Sequence, residues 1–170
     1  INKKGESGTM TNEPSQRPSL ILEDFTPYRL NKAAEAISRR FSSHYRDQYG
    51  LTRPEWRTLA TLGQFGAHTA TAIGIHSSMH KTKVSRAVFS LEQRHWLKRR
   101  RDETDRRTEH LELTPAGRKA YEHLAKLAHD FEADLFARLG ERGAKDLKAG
   151  LAALETYYRQ DAMALSGDDL

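Results

Sequence analysis

The chain has 170 residues, a net charge of +5 and 30% charged against 37% hydrophobic residues, which suits one helix-rich core with extensions. It contains no cysteine, so disulfides and thiolate metal sites are excluded, and an intracellular, cytoplasmic location is the plain expectation. No apolar run reaches the length of a bilayer, and a pI near 9.5 points to an acidic partner.

Residues Ile1 to Thr9 precede Met10 and read as residue left by cloning. Thr11 to Ser19 is Pro-rich and polar, as a disordered tail is. Together they set aside residues 1–22. Asp24 is placed to cap a long helix running to about Gln48, along which Leu30, Ala34, Ile37, Phe41 and Tyr45 repeat as one apolar stripe. Gly50 then ends it. That stripe, within 23–50, is longer than the small domain that follows can cover, so part of it is expected to meet another chain.

Thr52 and Glu55 are spaced as a capping box for a helix with Trp56, Leu59 and Leu62 inward and Gly63 and Gly66 about its end. A short helix follows from Thr69 to about His76, with Ala72, Ile73 and Ile75 expected inward. Ser77-Ser78 turns the chain into a further helix from Lys81 to Leu91. There Val84, Val88 and Leu91 face the core and Lys81, Thr82, Lys83, Ser85 and Arg86 are left outside. Two short helices joined by a tight turn, the second polar on its outer face, make a helix-turn-helix.

Trp96 and Leu97 open an extended run through Arg99, Arg100 and Arg101. The segment 102–108 reads as a charged turn, and Glu109–Leu113 alternates as a half-buried strand does. Thr114-Pro115 starts a new helix. The fold expected is therefore mainly α with a small β-hairpin wing: a winged helix-turn-helix over 51–114, followed by helices over 115–163 that break at Gly140, with a frayed tail at 164–170.

Charge concentrates between Arg94 and Arg107, and a basic hairpin beside a helix-turn-helix suits double-stranded DNA. Arg99, Arg101, Arg106 and Arg107 are candidates for phosphate or minor-groove contact; Lys81, Thr82, Ser85 and Arg86 for base edges; Lys83 for phosphate. Asp105, among arginines, reads as an ion-pair partner that shapes the wing. His76 and His80 stand four apart, but a helix boundary between them argues against a shared metal. His123, His129 and Glu132 do not share one face. No P-loop, HExxH or nucleophile elbow is present, so neither an enzyme nor a cofactor is expected.

With those residues in view, the chain resembles the MarR (multiple antibiotic resistance regulator) family of winged-helix transcription factors. The family's wing pattern, D-x-R then L-T and Gly, stands here as Asp105-Arg106-Arg107, Leu113-Thr114 and Gly117. The stretch HKTKVSRAVFSLEQRHWLKRR is similar to its recognition helix, as are LEDFTPYRL and LTRPEWRTLATLG to its earlier helices. Agreement spans about Asp24 to Leu139. Two departures stand out: His80 replaces a usual Asp, and His95-Trp96 replaces a turn glycine before the wing.

The resemblance implies an obligate homodimer, with the N- and C-terminal helices as dimerisation helices. It also implies a pseudo-palindromic operator and repression relieved by a small aromatic carboxylate or phenolic effector. By position, Arg29, His44, Tyr49 and Trp56 are the candidates to line an effector cleft, although Trp56 reads more readily as plain core. The competing expectations are an effector-independent architectural DNA-binding protein and a protein–protein adaptor, against which the basic wing argues.

Overall fold

The computed structural model describes residues 19–101 and 108–165, with side chains as far as residue 158. The expectations for residues 1–18 and 166–170, and for the wing tip at 102–107, lie outside the described residues. The chain divides into two units, residues 1–38 and 39–170. In the first, a turn at 22–24 leads into α1 (Thr26–Tyr49). The helix begins one residue later than a cap at Asp24 would place it, because the Asp24 and Phe25 amides donate to the Ile21 and Leu22 carbonyls and close a turn instead. Leu30 and Ile37 of the expected stripe are exposed.

The second unit holds the rest. After α1 come α2 (Arg53–Phe65), α3 (Ala70–Ser77), α4 (Lys81–Gln93), β1 (Leu97–Arg101), β2 (Glu109–Leu113) and α5 (Pro115–Leu165). The apolar faces of these elements meet in one core: Leu59 and Leu62 of α2, Ile73 of α3, Val84, Val88 and Leu91 of α4, Leu111 of β2 and Leu124 of α5. Ile75 is 79% exposed, contrary to the inward placement expected of it. Two residues of helix turn the chain by about 200°, so in an eight-residue helix anchored by Ile73 the side chain at 75 points away from the core. Gly140, at φ 72 and ψ 167, interrupts α5 where the break was expected.

The helix ends follow from their sequence. The Thr52 hydroxyl accepts from the Glu55 amide, and Glu55 Oε2 accepts from the Thr52 amide at 2.6 Å, which makes the capping box reciprocal. Glu55 is buried. Burial pushes its pKa up, but hydrogen bonds from Ser90 and Thr52 and the charge of Arg94 together outweigh that and hold it below the ordinary value. Its ionised form therefore contributes stability at neutral pH that is lost as pH falls through that lowered pKa. The Thr69 hydroxyl likewise caps α3, accepting from Ala72.

At the end of α4 the His95 amide donates to the Glu92 carbonyl and the Trp96 amide to the Leu91 carbonyl, a Schellman closure with His95 at φ +57. The helix exit is thus of the kind a glycine makes, held by a residue that pays a steric cost for it. The chain then doubles back: the Thr114 hydroxyl donates to the His95 carbonyl at 2.7 Å and accepts from the Gly117 amide at 3.1 Å. Gly117 is packed so closely here that a Cβ would lie 2.1 Å from the Trp96 carbonyl oxygen.

Sequence periodicity gave no hint of one further strand contact. His68 and Leu111 exchange backbone hydrogen bonds of 3.1 and 2.8 Å, adding an isolated bridge beside β2. A single bridging residue is too short to leave a pattern.

Two substitutions test this account. Gly117→Ala is expected to cost about 1–3 kcal/mol, since the clash is with backbone that cannot move freely, seen as a lowered midpoint in urea. His95→Gly is expected to stabilise the chain by roughly 1 kcal/mol by removing the left-handed strain, raising the melting temperature by about 2–4 °C.

Candidate nucleic-acid interface

The turn from α3 to α4 places one helix face in solvent. Ser78 closes α3 in the left-handed conformation, and His80 opens α4, its Nδ1 accepting from the Thr82 amide at 3.4 Å. His76 instead lies against the Phe65 ring, 4.2 Å between centroids, so the two histidines serve different helices. Val84, Ala87, Val88 and Leu91 bury one side of α4, and Lys81, Thr82, Lys83, Ser85 and Arg86 are all exposed on the others. The first turn of α4 carries two lysines and no acidic residue. Cations at a helix N-terminus oppose the helix dipole, a cost that an incoming phosphate would relieve.

The wing is an antiparallel pair with Leu97 opposite Leu113, Arg99 opposite Leu111 and Arg101 opposite Glu109. Strand alternation puts Leu97, Arg99 and Arg101 on one face and Lys98 and Arg100 on the other. The four basic residues of β1 therefore do not form one uniform surface. Lys98 pairs across the strands with Glu112 at 3.0 Å, a hydrogen bond that holds the Glu112 carboxyl below its ordinary pKa.

Arg99 was expected to contact phosphate, but its guanidinium is engaged within the chain. Its Nε and Nη2 donate to the Glu92 carboxylate at 2.7 and 3.0 Å, and Nη1 donates to Glu109 at 2.9 Å. The hydrogen bond to Glu92, then that to Glu109, raise its pKa further above the ordinary arginine value. The side chain falls on the wing face turned toward α4, so the carboxylate of Glu92, the penultimate residue of that helix, reaches it. Arg99 thus clamps β1 to both α4 and β2. Glu92 was not singled out from sequence, because a partner seven residues away across a reversal of the chain leaves no periodic signal. Arg101 is exposed at the end of β1. Asp105, Arg106 and Arg107 lie outside the described residues.

The expected effector residues are differently placed. Arg29, in the N-terminal unit, lines a recess of about 300 Å³ with Thr26, Leu30 and Ala33. Trp56 lies against Phe41 and Tyr45 and lines a cavity of about 350 Å³ with Ala60, Thr61, Phe65 and His76, which neither His44 nor Tyr49 lines. His44 meets the rings of Phe41 and Phe131, while the Tyr49 hydroxyl is 2.7 Å from His123 Nδ1. Phe131 and His123, contributed by α5, were not anticipated as neighbours of these residues.

The fold is shared with solved structures. A MarR-family regulator from Silicibacter pomeroyi, SPO1453, superposes with a TM-score of 0.73 at 29% identity over 82% of this chain and 99% of that one. The Bordetella bronchiseptica protein BpsR, whose DNA binding is regulated by 6-hydroxynicotinic acid, shares the fold at 20% identity, with a TM-score of 0.70 over 81% of this chain and 98% of its own. The HTH-type transcriptional regulator YwoH of Bacillus subtilis is 27% identical over 110 residues, 65% of this chain and 79% of that protein. Residues 51–108, which hold the helix-turn-helix and β1, match the MarR family.

The chain belongs to the MarR family. It is a DNA-binding transcriptional regulator of that family, not an enzyme. Among the described residues of this MarR-family regulator no helix is long and apolar enough to cross a membrane.

The clamp generates a counter-intuitive expectation. Glu92→Gln removes a negative charge beside the wing, so charge alone would tighten DNA binding. If the clamp sets the angle of the wing, the substitution instead weakens binding by about threefold or more, the scale of one well-formed ion pair. Fluorescence anisotropy with a short labelled duplex measures the sign.

Proposed function

We propose that this regulator acts as a homodimer on a pseudo-palindromic operator, represses transcription there, and is released by a small aromatic carboxylate or phenol. The observation that carries the DNA-reading part is the outer face of α4, where Lys81, Thr82, Ser85 and Arg86 are exposed beside a basic hairpin. Arg86 can donate two hydrogen bonds to guanine, and Thr82 and Ser85 can pair with several bases. Lys83 and Arg101 serve as phosphate contacts, while Arg106 or Arg107, by sequence position, enters the minor groove, with Asp105 shaping the wing.

Exposed apolar residues support the dimer. Leu22, Phe25, Leu30 and Ile37 in the N-terminal unit, and Leu151, Leu154, Tyr157 and Tyr158 late in α5, leave apolar surface uncovered in a single chain. Burial of such surface is what drives a stable association. A two-fold dimer presents its two α4 helices to half-sites roughly 10 base pairs, or a multiple, apart.

An aromatic acid is the effector class to try first, given the likeness in fold to a protein regulated by 6-hydroxynicotinic acid. Arg29, His44, Tyr49 and Trp56 stay as candidates for it. His44 and Trp56 are linked through Phe41, whose ring contacts both.

A titration of the full chain against DNA from upstream of its own gene, and against scrambled DNA, at two salt concentrations tests the reading. Preference for the upstream fragment is expected, with log affinity falling by roughly 0.9 per phosphate contacted for each decade of salt. Arg86→Ala is expected to cost about 1–3 kcal/mol on the preferred fragment and little on the scrambled one. Equal binding to both fragments would favour the architectural alternative. Sedimentation at the same concentrations reports the dimer, and release of the fragment by 6-hydroxynicotinic acid or salicylate reports the effector class.

A further inference from the structure

One side chain on the reading face of α4 is neither polar nor charged. Phe89 is 62% exposed. It stands seven residues after Thr82, four after Ser85 and three after Arg86, spacings that put all four on one side of a helix. The core side of the same helix is taken by Val84, Ala87, Val88 and Leu91, so Phe89 points directly away from the hydrophobic interior. At a rise of 1.5 Å per residue it lies roughly 12 Å along the axis from Lys81, within the reach of a helix laid in a major groove.

A phenyl ring offers nothing to a phosphate oxygen or to the donors and acceptors of guanine, cytosine or adenine. The major-groove edges of the four base pairs present one apolar group, the C5-methyl of thymine. The polar neighbours are compatible with that placement: Ser85 and Arg86 precede Phe89 by one turn and can hydrogen-bond the adjacent pairs, while the ring takes the methyl-bearing step. We propose that Phe89 is a specificity-determining residue of this regulator, packing its ring on the C5-methyl of a thymine in each half-site. The inference rests on the reading that the outer face of α4 lies in the major groove.

The experiment starts from duplexes enriched from a randomised pool by the full chain. In the preferred duplex each thymine is replaced singly by uracil, which removes the methyl and leaves the hydrogen-bonding edge intact. Affinity is then measured for the wild type, Phe89→Ala and Phe89→Leu. For the wild type, one uracil position per half-site is expected to weaken binding about fourfold, the effect of burying one methyl group. Phe89→Ala is expected to erase that difference, and Phe89→Leu, which stays apolar, to keep part of it. A wild type indifferent to uracil at every position would overturn the proposal, as would an undiminished uracil penalty in Phe89→Ala. Both results would leave DNA binding by α4 standing. Failure to enrich any duplex would overturn the reading beneath it as well. Because Phe89 is exposed, melting curves of the three proteins should coincide, and any difference in affinity then reports the contact.

Discussion

The burial of one side of α4 is the constraint on which the rest depends. Val84, Ala87, Val88 and Leu91 pack on α2 and α3, and no rotation of the helix could bury them while hiding Thr82, Arg86 and Phe89 as well. The outer face of α4 is exposed because the opposite face is apolar. At about 25 cal/mol per Å² of apolar surface, these buried side chains outweigh any preference of the outer face for a different orientation.

Polar contacts then fix the neighbours of that helix. The buried Glu55 carboxylate takes hydrogen bonds from Ser90 of α4 and from Thr52 at the head of α2, and Arg94 just beyond α4 adds its charge. The Arg94 guanidinium in turn donates to the Tyr49 and Gly50 carbonyls at 2.7 and 3.1 Å, where α1 ends. A carboxylate buried without those donors would be strongly destabilising; with them, it ties the ends of α1, α2 and α4 together. A helix that positions DNA-reading side chains needs this kind of support, because small errors in its angle move the outer side chains furthest.

The wing is set by two different means. Its base is held by backbone: the Schellman closure through His95, the Thr114 hydroxyl, and the approach of Gly117 to Trp96. Its first strand is held by charge, through Arg99 between Glu92 and Glu109. The basic run therefore combines two jobs. Arg99 spends its hydrogen bonds inside the protein, and Lys98 pairs with Glu112, so the net positive character of the wing is smaller than its count of cations suggests.

Much of the fold was legible locally. The period of apolar residues along α2 and α4, the Thr52–Glu55 box, the alternation in β2, the Thr114-Pro115 start and the break at Gly140 are all properties of residues a few positions apart, and all are found in the structure. The motif Leu113-Thr114 with Gly117 was one of those that carried the family resemblance, and the tight packing against Trp96 is the physical reason for its glycine. Three features required tertiary structure. They are the engagement of Arg99, the ring contacts that Phe131 and His123 bring to His44 and Tyr49, and the bridge from His68 to Leu111. Each depends on which residues distant in sequence come within a few ångströms. Periodicity tells which side of a helix is apolar and how it begins and ends; it is silent on what stands opposite a given charge or ring. For this chain, sequence determined the elements and which side of α4 is left to solvent, and only packing decided which cations of the wing are bound within the protein.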